Sequence, residues 1–177
     1  MNIYRINNIT PKYMKLIIIL TLFVGFSNII PAQTKIYNPD ANAKKELADA
    51  IQRAGEKQKH VLIQIGGNWC PWCIKFHKFV GAHAKIDSLI KNDYVFLLLN
   101  YSKEKIENRN LDIMKQLNFP QRFGFPVLVV LDGSGKVLHI QDSGYLESGN
   151  DYDEKKVMTF LKNWSLGALN PELYKEK

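Results

Sequence analysis

Cys70 and Cys73 are the only cysteines of the chain, and they stand together in Trp69-Cys70-Pro71-Trp72-Cys73. A Cys-x-x-Cys pair can be half of a zinc site, a structural disulfide or a redox couple. Zinc would need two further ligands, and His60, His77, His83 and His139 offer no second pair at ligand-like spacing, so no metal is assigned. A structural disulfide closing so small a loop constrains the unfolded chain little. The redox reading has a reason at each position. Cys70 falls where a helix begins, so unpaired N–H groups and the helix dipole favour its thiolate and make it the attacking nucleophile. Cys73, one turn later, is in reach of Cys70 but on the buried stripe, suited to resolving a mixed disulfide from inside. On this reading an exposed sulfur attacks and a sheltered one releases. Pro71 stiffens the turn at a position where its missing N–H is not needed. Trp69 and Trp72 supply aromatic surface beside the sulfur, with simple packing as the competing reading of Trp72.

The elements that must position this pair are legible around it. Residues 60–65 are a short, mostly β-branched and apolar run ending in Gly66-Gly67, which reads as a buried strand. After Pro71, the residues Cys73, Phe76, Val80 and Ala84 share one helical stripe, so the pair sits where a strand hands over to a helix. Upstream, Ala43, Leu47, Ala50, Ile51 and Ala54 recur at helical spacing behind the start signal Asn38-Pro39-Asp40, predicting an amphipathic helix over residues 40–59. Residues 94–100 carry an apolar run too short for a helix, an interior strand. Residues 105–117 read as a helix with a looser apolar face made by Ile106, Leu111, Met114 and Leu117. Residues 127–131 and 137–141 flank Asp132-Gly133-Ser134-Gly135-Lys136, a hairpin with a longer loop. Val157, Phe160, Leu161 and Trp164 mark a closing helix, and the polar tail from Asn170 is loosely held. This order predicts an α/β fold: a central mixed sheet of about four strands, helices on both faces and an extra N-terminal helix.

The 177 residues, 46% of them apolar, suit one domain with one core, without repeats or low-complexity segments. Arg5, Lys12 and Lys15 lie in an N-terminal stretch without acids, so its removal lowers the net charge from +7 to +4. The remaining basic residues, such as Lys44-Lys45 and Lys155-Lys156, are interspersed with acids and form a solvated surface rather than a nucleic-acid footprint. Lys12 and Lys15 precede an apolar run over residues 16–26, and Pro31-Ala32 then offers a small residue before Gln33. Residues 1–32 therefore read as a cleaved signal peptide and residues 33–177 as the mature domain. Thr21, Gly25, Ser27 and Asn28 interrupt the run, which falls short of the roughly 20 residues that span a bilayer, so no stable membrane span is expected after cleavage. Met14-Lys15 before the run would itself make an ordinary signal-peptide start. No cysteine near the cleavage point offers a lipid attachment site.

The strand, the Trp69-Cys70-Pro71-Trp72-Cys73 helix start and, two elements later, Phe123-Gly124-Phe125-Pro126 opening a hairpin together resemble thioredoxin. The resemblance covers about residues 40–165, and is closer still to secreted thioredoxin-like proteins of Bacteroidetes-type bacteria. It implies a thioredoxin-like fold in which the proline before the last strands is cis and lies against the cysteines; by position this is Pro126, with Phe125 as the residue whose backbone pairs with an extended substrate. It also exposes a departure. The buried aspartate of thioredoxin falls at Gln64 and its companion lysine near Leu98, so that ionisable pair is missing. A glutamine cannot take a proton from Cys73 at ordinary pH. Water, Cys70 itself or another group must do so, and His77, one turn beyond Cys73, is a candidate by spacing, with an ordinary surface histidine as the alternative.

The function expected is a thiol:disulfide oxidoreductase acting in a periplasmic or secreted setting through Cys70 and Cys73. Its surface for protein thiols and disulfides comprises Trp69, Pro71, Trp72, Phe125 and Pro126. It would use its own disulfide as the redox group with no added cofactor, and an unidentified electron-transfer partner. Two other classes stay open: a non-catalytic peptide-binding module on the same fold, and a structural envelope protein tethered by an uncleaved leader. Reference potentials run from about −270 mV for thioredoxin to about −120 mV for the strong oxidant DsbA. Pro71 matches the oxidant's first dipeptide residue but Trp72 brings no cation, so an intermediate potential nearer thioredoxin and a reductase or exchange role are expected.

Overall fold

Residues 35–175 are described by the structure, a computed structural model; the leader expected over residues 1–32 lies outside them. The sheet is organised around β1 (His60–Gly66), buried along its whole length. On one side it pairs in parallel with β2 (Tyr94–Asn100), on the other antiparallel with β3 (Val127–Leu131), which pairs in turn with β4 (Val137–Asp142). The order is β2-β1-β3-β4, a mixed four-stranded sheet. A parallel pair needs a long crossover, and α2 (Pro71–Ala82) and α3 (Ala84–Asp93) provide it. The β3–β4 hairpin is held at its loop by Asp132, whose Oδ1 accepts from the backbone N–H groups of Ser134 and Lys136.

Strand side chains alternate between faces, and the two cores follow that alternation. Val61, Ile63 and Ile65 pack with α1 (Ala43–Lys57) and the short α4 (Leu111–Gln116), while Leu62, Leu128 and Val130 pack with α2, α3 and α5 (Glu154–Asn163). Gln64 shares the second parity and faces α2. Helix α1 begins where Asn42 accepts the N–H of Lys45, and α5 where Asp153 accepts that of Lys156. These caps satisfy N–H groups the helices cannot bond internally. The fold is thus the α/β thioredoxin-like architecture that the sequence resemblance implies, with the extra N-terminal helix.

Two helices depart from the periodicity reading. The apolar stripe after the cysteines predicts a helix reaching Ala84, but the helix stops at His83, which is extended (ψ 93°), and Ala84 is exposed at the start of α3. The break lets α3 turn Ile86 and Ile90 into the core, which a straight continuation would not do. The helix expected over residues 105–117 is likewise divided, at Asn110. That residue adopts a left-handed conformation (φ 52°), between a 3-10 turn at Ile106–Arg109 and α4. Its Nδ2 donates to the Asn100 carbonyl at 2.8 Å; asparagine tolerates such a conformation better than most residues. Ile106 and Leu111 are 64% and 51% exposed, so the apolar face is carried by Ile113, Met114 and Leu117 instead. The two-residue strands β5 (Glu147–Ser148) and β6 (Asp151–Tyr152) are too short to leave a periodic trace in the sequence.

The contrast is measurable by urea denaturation. Leu62→Ala, in a fully buried strand position, should cost about 2–5 kcal/mol, whereas Ile106→Ala should stay within about 0.5 kcal/mol.

Candidate active site

Where β1 ends, the chain must turn within four residues into α2, and the first residue before that helix is Cys70. It is the N-cap: its backbone is extended (φ −100°, ψ 105°), Pro71 occupies the first helical turn, and the Cys70 Sγ accepts the N–H of Cys73 at 3.1 Å. The Cys70 carbonyl accepts from Ile74 at 3.2 Å. Cys70 and Cys73 are joined as a disulfide, with Cα atoms 5.2 Å apart. A helix N-terminus and a directed N–H both stabilise negative charge on the Cys70 sulfur once the bond is opened.

The exposure expected for Cys70 is corrected. It is 3% exposed and Cys73 0%, so in the disulfide both sulfurs lie under cover, and the difference between them is electrostatic position rather than open access. The cover is aromatic, with Tyr37, Trp69, Trp72 and Phe125 packing around the pair. Trp69 meets Phe125 edge-on at 5.3 Å and its Nε1 donates to the Tyr101 carbonyl at 2.8 Å. Trp72 meets Tyr152 edge-on at 5.5 Å, and the Tyr152 hydroxyl donates to the Trp72 carbonyl at 3.3 Å. Trp72 is therefore anchored in packing on one side. On the other, Lys75 stands over its ring, Nζ 4.3 Å from the centroid, while also donating to the Asn150 carbonyl. The Phe125–Pro126 bond is cis, as the resemblance implies, and Pro126 leads directly into β3.

Beneath Cys73 lies Gln64, fully buried. Its Nε2 donates to the Cys73 carbonyl at 2.9 Å and to the Tyr37 hydroxyl at 2.7 Å. Leu98 is its register partner on β2, so the two positions that the resemblance aligns with thioredoxin's ionisable pair are neighbours, holding an amide and an alkyl group. His77 is not part of the cluster. Its ring stacks over Phe96 with centroids 6.5 Å apart, its Nδ1 is buried without a hydrogen-bond partner, and burial pushes its pKa below the ordinary value.

Sequence reasoning missed three contributors. Tyr37 enters the site from the segment before α1. Asn68 holds it there: its Oδ1 accepts the N–H groups of Ile36 at 2.9 Å and Tyr37 at 3.0 Å, and its Nδ2 donates to the Tyr37 carbonyl at 2.8 Å. Gly66 makes the room. A Cβ there would stand 2.4 Å from the Cys73 Sγ and 3.0 Å from the Tyr37 hydroxyl oxygen. Gly66-Gly67 was legible only as a strand end, and nothing periodic links Tyr37 to Gln64 across the intervening helix.

A disulfide at a helix start, capped by the backbone and followed across the sheet by a cis proline, on a β2-β1-β3-β4 sheet, defines a thioredoxin-fold protein with a cysteine pair suited to thiol–disulfide exchange. The chain belongs to the thioredoxin-like domain family, whose model matches residues 47–155. Among solved structures it is similar to a disulphide isomerase from Xylella fastidiosa Temecula1, at 23% identity and TM-score 0.65, over 75% of this chain and 98% of that one. It is also similar to a DsbH oxidoreductase, at 21% identity and TM-score 0.46, over 65% of this chain and 81% of that one. A third, a thioredoxin-fold protein from Helicobacter pylori, has 19% identity and TM-score 0.41, over 71% of this chain and 93% of that one. No curated protein matches the chain. At these identities the likeness is one of fold.

The steric reading of the site has a direct check. Gly66→Ala should destabilise the oxidised protein by about 1–3 kcal/mol through overpacking against the Cys73 sulfur. Gly81→Ala, where an added Cβ meets nothing within 4 Å, should leave stability unchanged or raise it by about 0.5–1 kcal/mol. Denaturation of both oxidised variants reads the difference.

Proposed function

We propose that this chain is an exported thiol:disulfide oxidoreductase that exchanges disulfides with protein substrates, as a reductase or exchange partner rather than a strong oxidase. The observation that carries the proposal is the Cys70 sulfur at the N-cap of α2, accepting the Cys73 N–H. In the reduced protein the Cys70 thiolate attacks one sulfur of a substrate disulfide, forming a mixed disulfide as the other substrate sulfur departs with the bond's electron pair. Cys73 then attacks the Cys70 sulfur, restoring the Cys70–Cys73 disulfide and freeing the remaining substrate sulfur. Two electrons pass to the substrate, so a separate reductant must return the pair to dithiol. No cofactor beyond the pair enters this scheme.

Trp69, Pro71, Trp72, Phe125 and Pro126 form the proposed substrate surface. The half-buried aromatic rings of Trp69 and Phe125 must rotate or part for a substrate sulfur to reach Cys70. The direction rests on what holds the Cys70 thiolate. Backbone N–H groups do so, while the nearby cation of Lys75 is engaged by the Trp72 ring and the Asn150 carbonyl. Without a cation on the sulfur, the reduced form is stabilised only moderately, which supports a potential nearer thioredoxin's. Export is supported by the basic and apolar pattern of residues 12–26 and by Ala32 before Gln33, in keeping with the resemblance to secreted Bacteroidetes-type proteins. Among the described residues no helix is long and apolar enough to cross a membrane.

Cys73→Ser should accumulate mixed disulfides through Cys70, and Cys70→Ser should abolish exchange; label found first on Cys73 in the wild type would reverse the two roles. Equilibration with glutathione should give an intermediate potential, and a value as oxidising as about −130 mV would make the protein a disulfide donor instead. N-terminal sequencing of the exported protein should start at or within a few residues of Gln33, and a mature chain retaining residues 16–26 would overturn the export assignment.

A further inference from the structure

The missing acid beneath Cys73 leaves the resolving step without the group that handles charge there in thioredoxin, and the surrounding hydrogen bonds point to what stands in its place. Both N–H bonds of the Gln64 amide are committed, one to the Cys73 carbonyl and one to the Tyr37 hydroxyl oxygen. The opposite amide orientation would set the Gln64 carbonyl oxygen against the Cys73 carbonyl, two acceptors face to face, so the network itself selects this one. The Tyr37 oxygen is therefore an acceptor towards Gln64, and its own O–H must be directed elsewhere. That oxygen and the Cys73 Sγ both border the small space over Gly66, 3.0 Å and 2.4 Å from the point a Cβ would fill. They are no further apart than those two distances together, and Tyr37, Cys70 and Cys73 form one buried cluster.

We infer that the Tyr37 hydroxyl, held by Gln64, is the hydrogen-bond donor to the Cys73 sulfur when that sulfur carries charge, a neutral device replacing the buried acid of thioredoxin. The inference deepens the oxidoreductase reading and rests on it. A disulfide sulfur is a weak acceptor and a thiolate a strong one, so the hydrogen bond forms as Cys73 becomes the attacking anion. In the resolving step the Cys73 thiol proton passes to the departing substrate sulfur. The freed electron pair makes the bond to the Cys70 Sγ, and the Cys70–substrate bond breaks with its pair on the substrate sulfur. Tyr37 keeps its proton throughout. Burial raises its pKa well above the ordinary phenol value, with the Gln64 hydrogen bond opposing and Tyr152 adding to the rise, so it serves as a donor and not as a base at neutral pH. The other titratable neighbours do not compete for the role. Tyr152 donates to the Trp72 carbonyl and burial also raises its pKa, His77 lies over Phe96, and Lys75 reaches Trp72 and Asn150.

The test follows the two steps separately in the full chain. Reduced protein is mixed with glutathione disulfide, quenched with acid and alkylated, and the Cys70–glutathione adduct is followed by mass spectrometry across pH. Tyr37→Phe removes one oxygen and keeps the ring. Formation of the adduct should match the wild type, while its release by Cys73 slows by about tenfold to a hundredfold, the effect of losing one hydrogen bond to a charged group. The pH midpoint of release should rise by about one to two units, the same loss expressed on the Cys73 thiol. A 3,5-difluorotyrosine at position 37 preserves the packing and strengthens the donor, and should lower that midpoint. Release and midpoint unchanged in both variants would reduce Tyr37 to packing and overturn the inference. Failure of the wild type to form either the adduct or, from it, the Cys70–Cys73 disulfide would instead overturn the exchange chemistry, and the inference with it.

Discussion

The constraint on which the site depends lies at the end of β1, where a strand and the first turn of a helix approach so closely that a side chain on the strand would collide with a sulfur. Gly66 has no Cβ, and one there would stand 2.4 Å from the Cys73 sulfur. That approach fixes the distance from strand to helix, and Cys70 becomes the cap residue because the chain has only Gly67, Asn68 and Trp69 in which to turn. Gln64, two residues earlier and on the same face, ties the strand to the helix again through the Cys73 carbonyl. The other elements serve this junction: the β1–β2 crossover supplies the helix, and the β3 strand carries Pro126 and Phe125 alongside.

An amide in place of a buried acid changes the electrostatics of the junction more than its shape. An ionised carboxylate beneath Cys73 would oppose the thiolate once formed, and its protonation would be linked to the redox state. Gln64 carries no charge, so the burial cost is that of a polar group, largely met by two hydrogen bonds. Its Oε1 is left buried without a partner, a cost that an apolar residue of similar size would not incur. The polar group lies directly beneath the buried sulfur, bonded to the Cys73 carbonyl.

Much of this was legible from residue patterns. The strand before the cysteines, the proline-led start of the helix after them, the interior strand at residues 94–100 and the hairpin with its glycine loop are each local signals, and each lies where its pattern placed it. The helices that failed were those whose ends are set by tertiary need. His83 breaks a stripe that reads as continuous, because α3 must change direction to bury Ile86 and Ile90. Asn110 breaks a weak stripe whose outer apolar residues, Ile106 and Leu111, stay in solvent. In the site, the motif residues were visible because chemistry demands their types and spacing. Tyr37 and Asn68 were not, since their roles arise from contacts made across 27 and 31 residues of chain, and neither position carries a periodic or motif signal.

Asn68 gives that last contact its significance. Three hydrogen bonds from one side chain in the cysteine loop hold the backbone of Ile36 and Tyr37, so the segment ahead of α1 is part of the site's wall. Tyr37 also closes one side of the space around the Cys73 sulfur, and its ring is almost wholly buried. A leader ending at Ala32 would place the mature terminus only a few residues from this clamp. If such a leader is cleaved, the cut has a structural bound on its far side: a chain beginning beyond Tyr37 would lose the hydroxyl partner of Gln64 and the backbone groups that Asn68 holds.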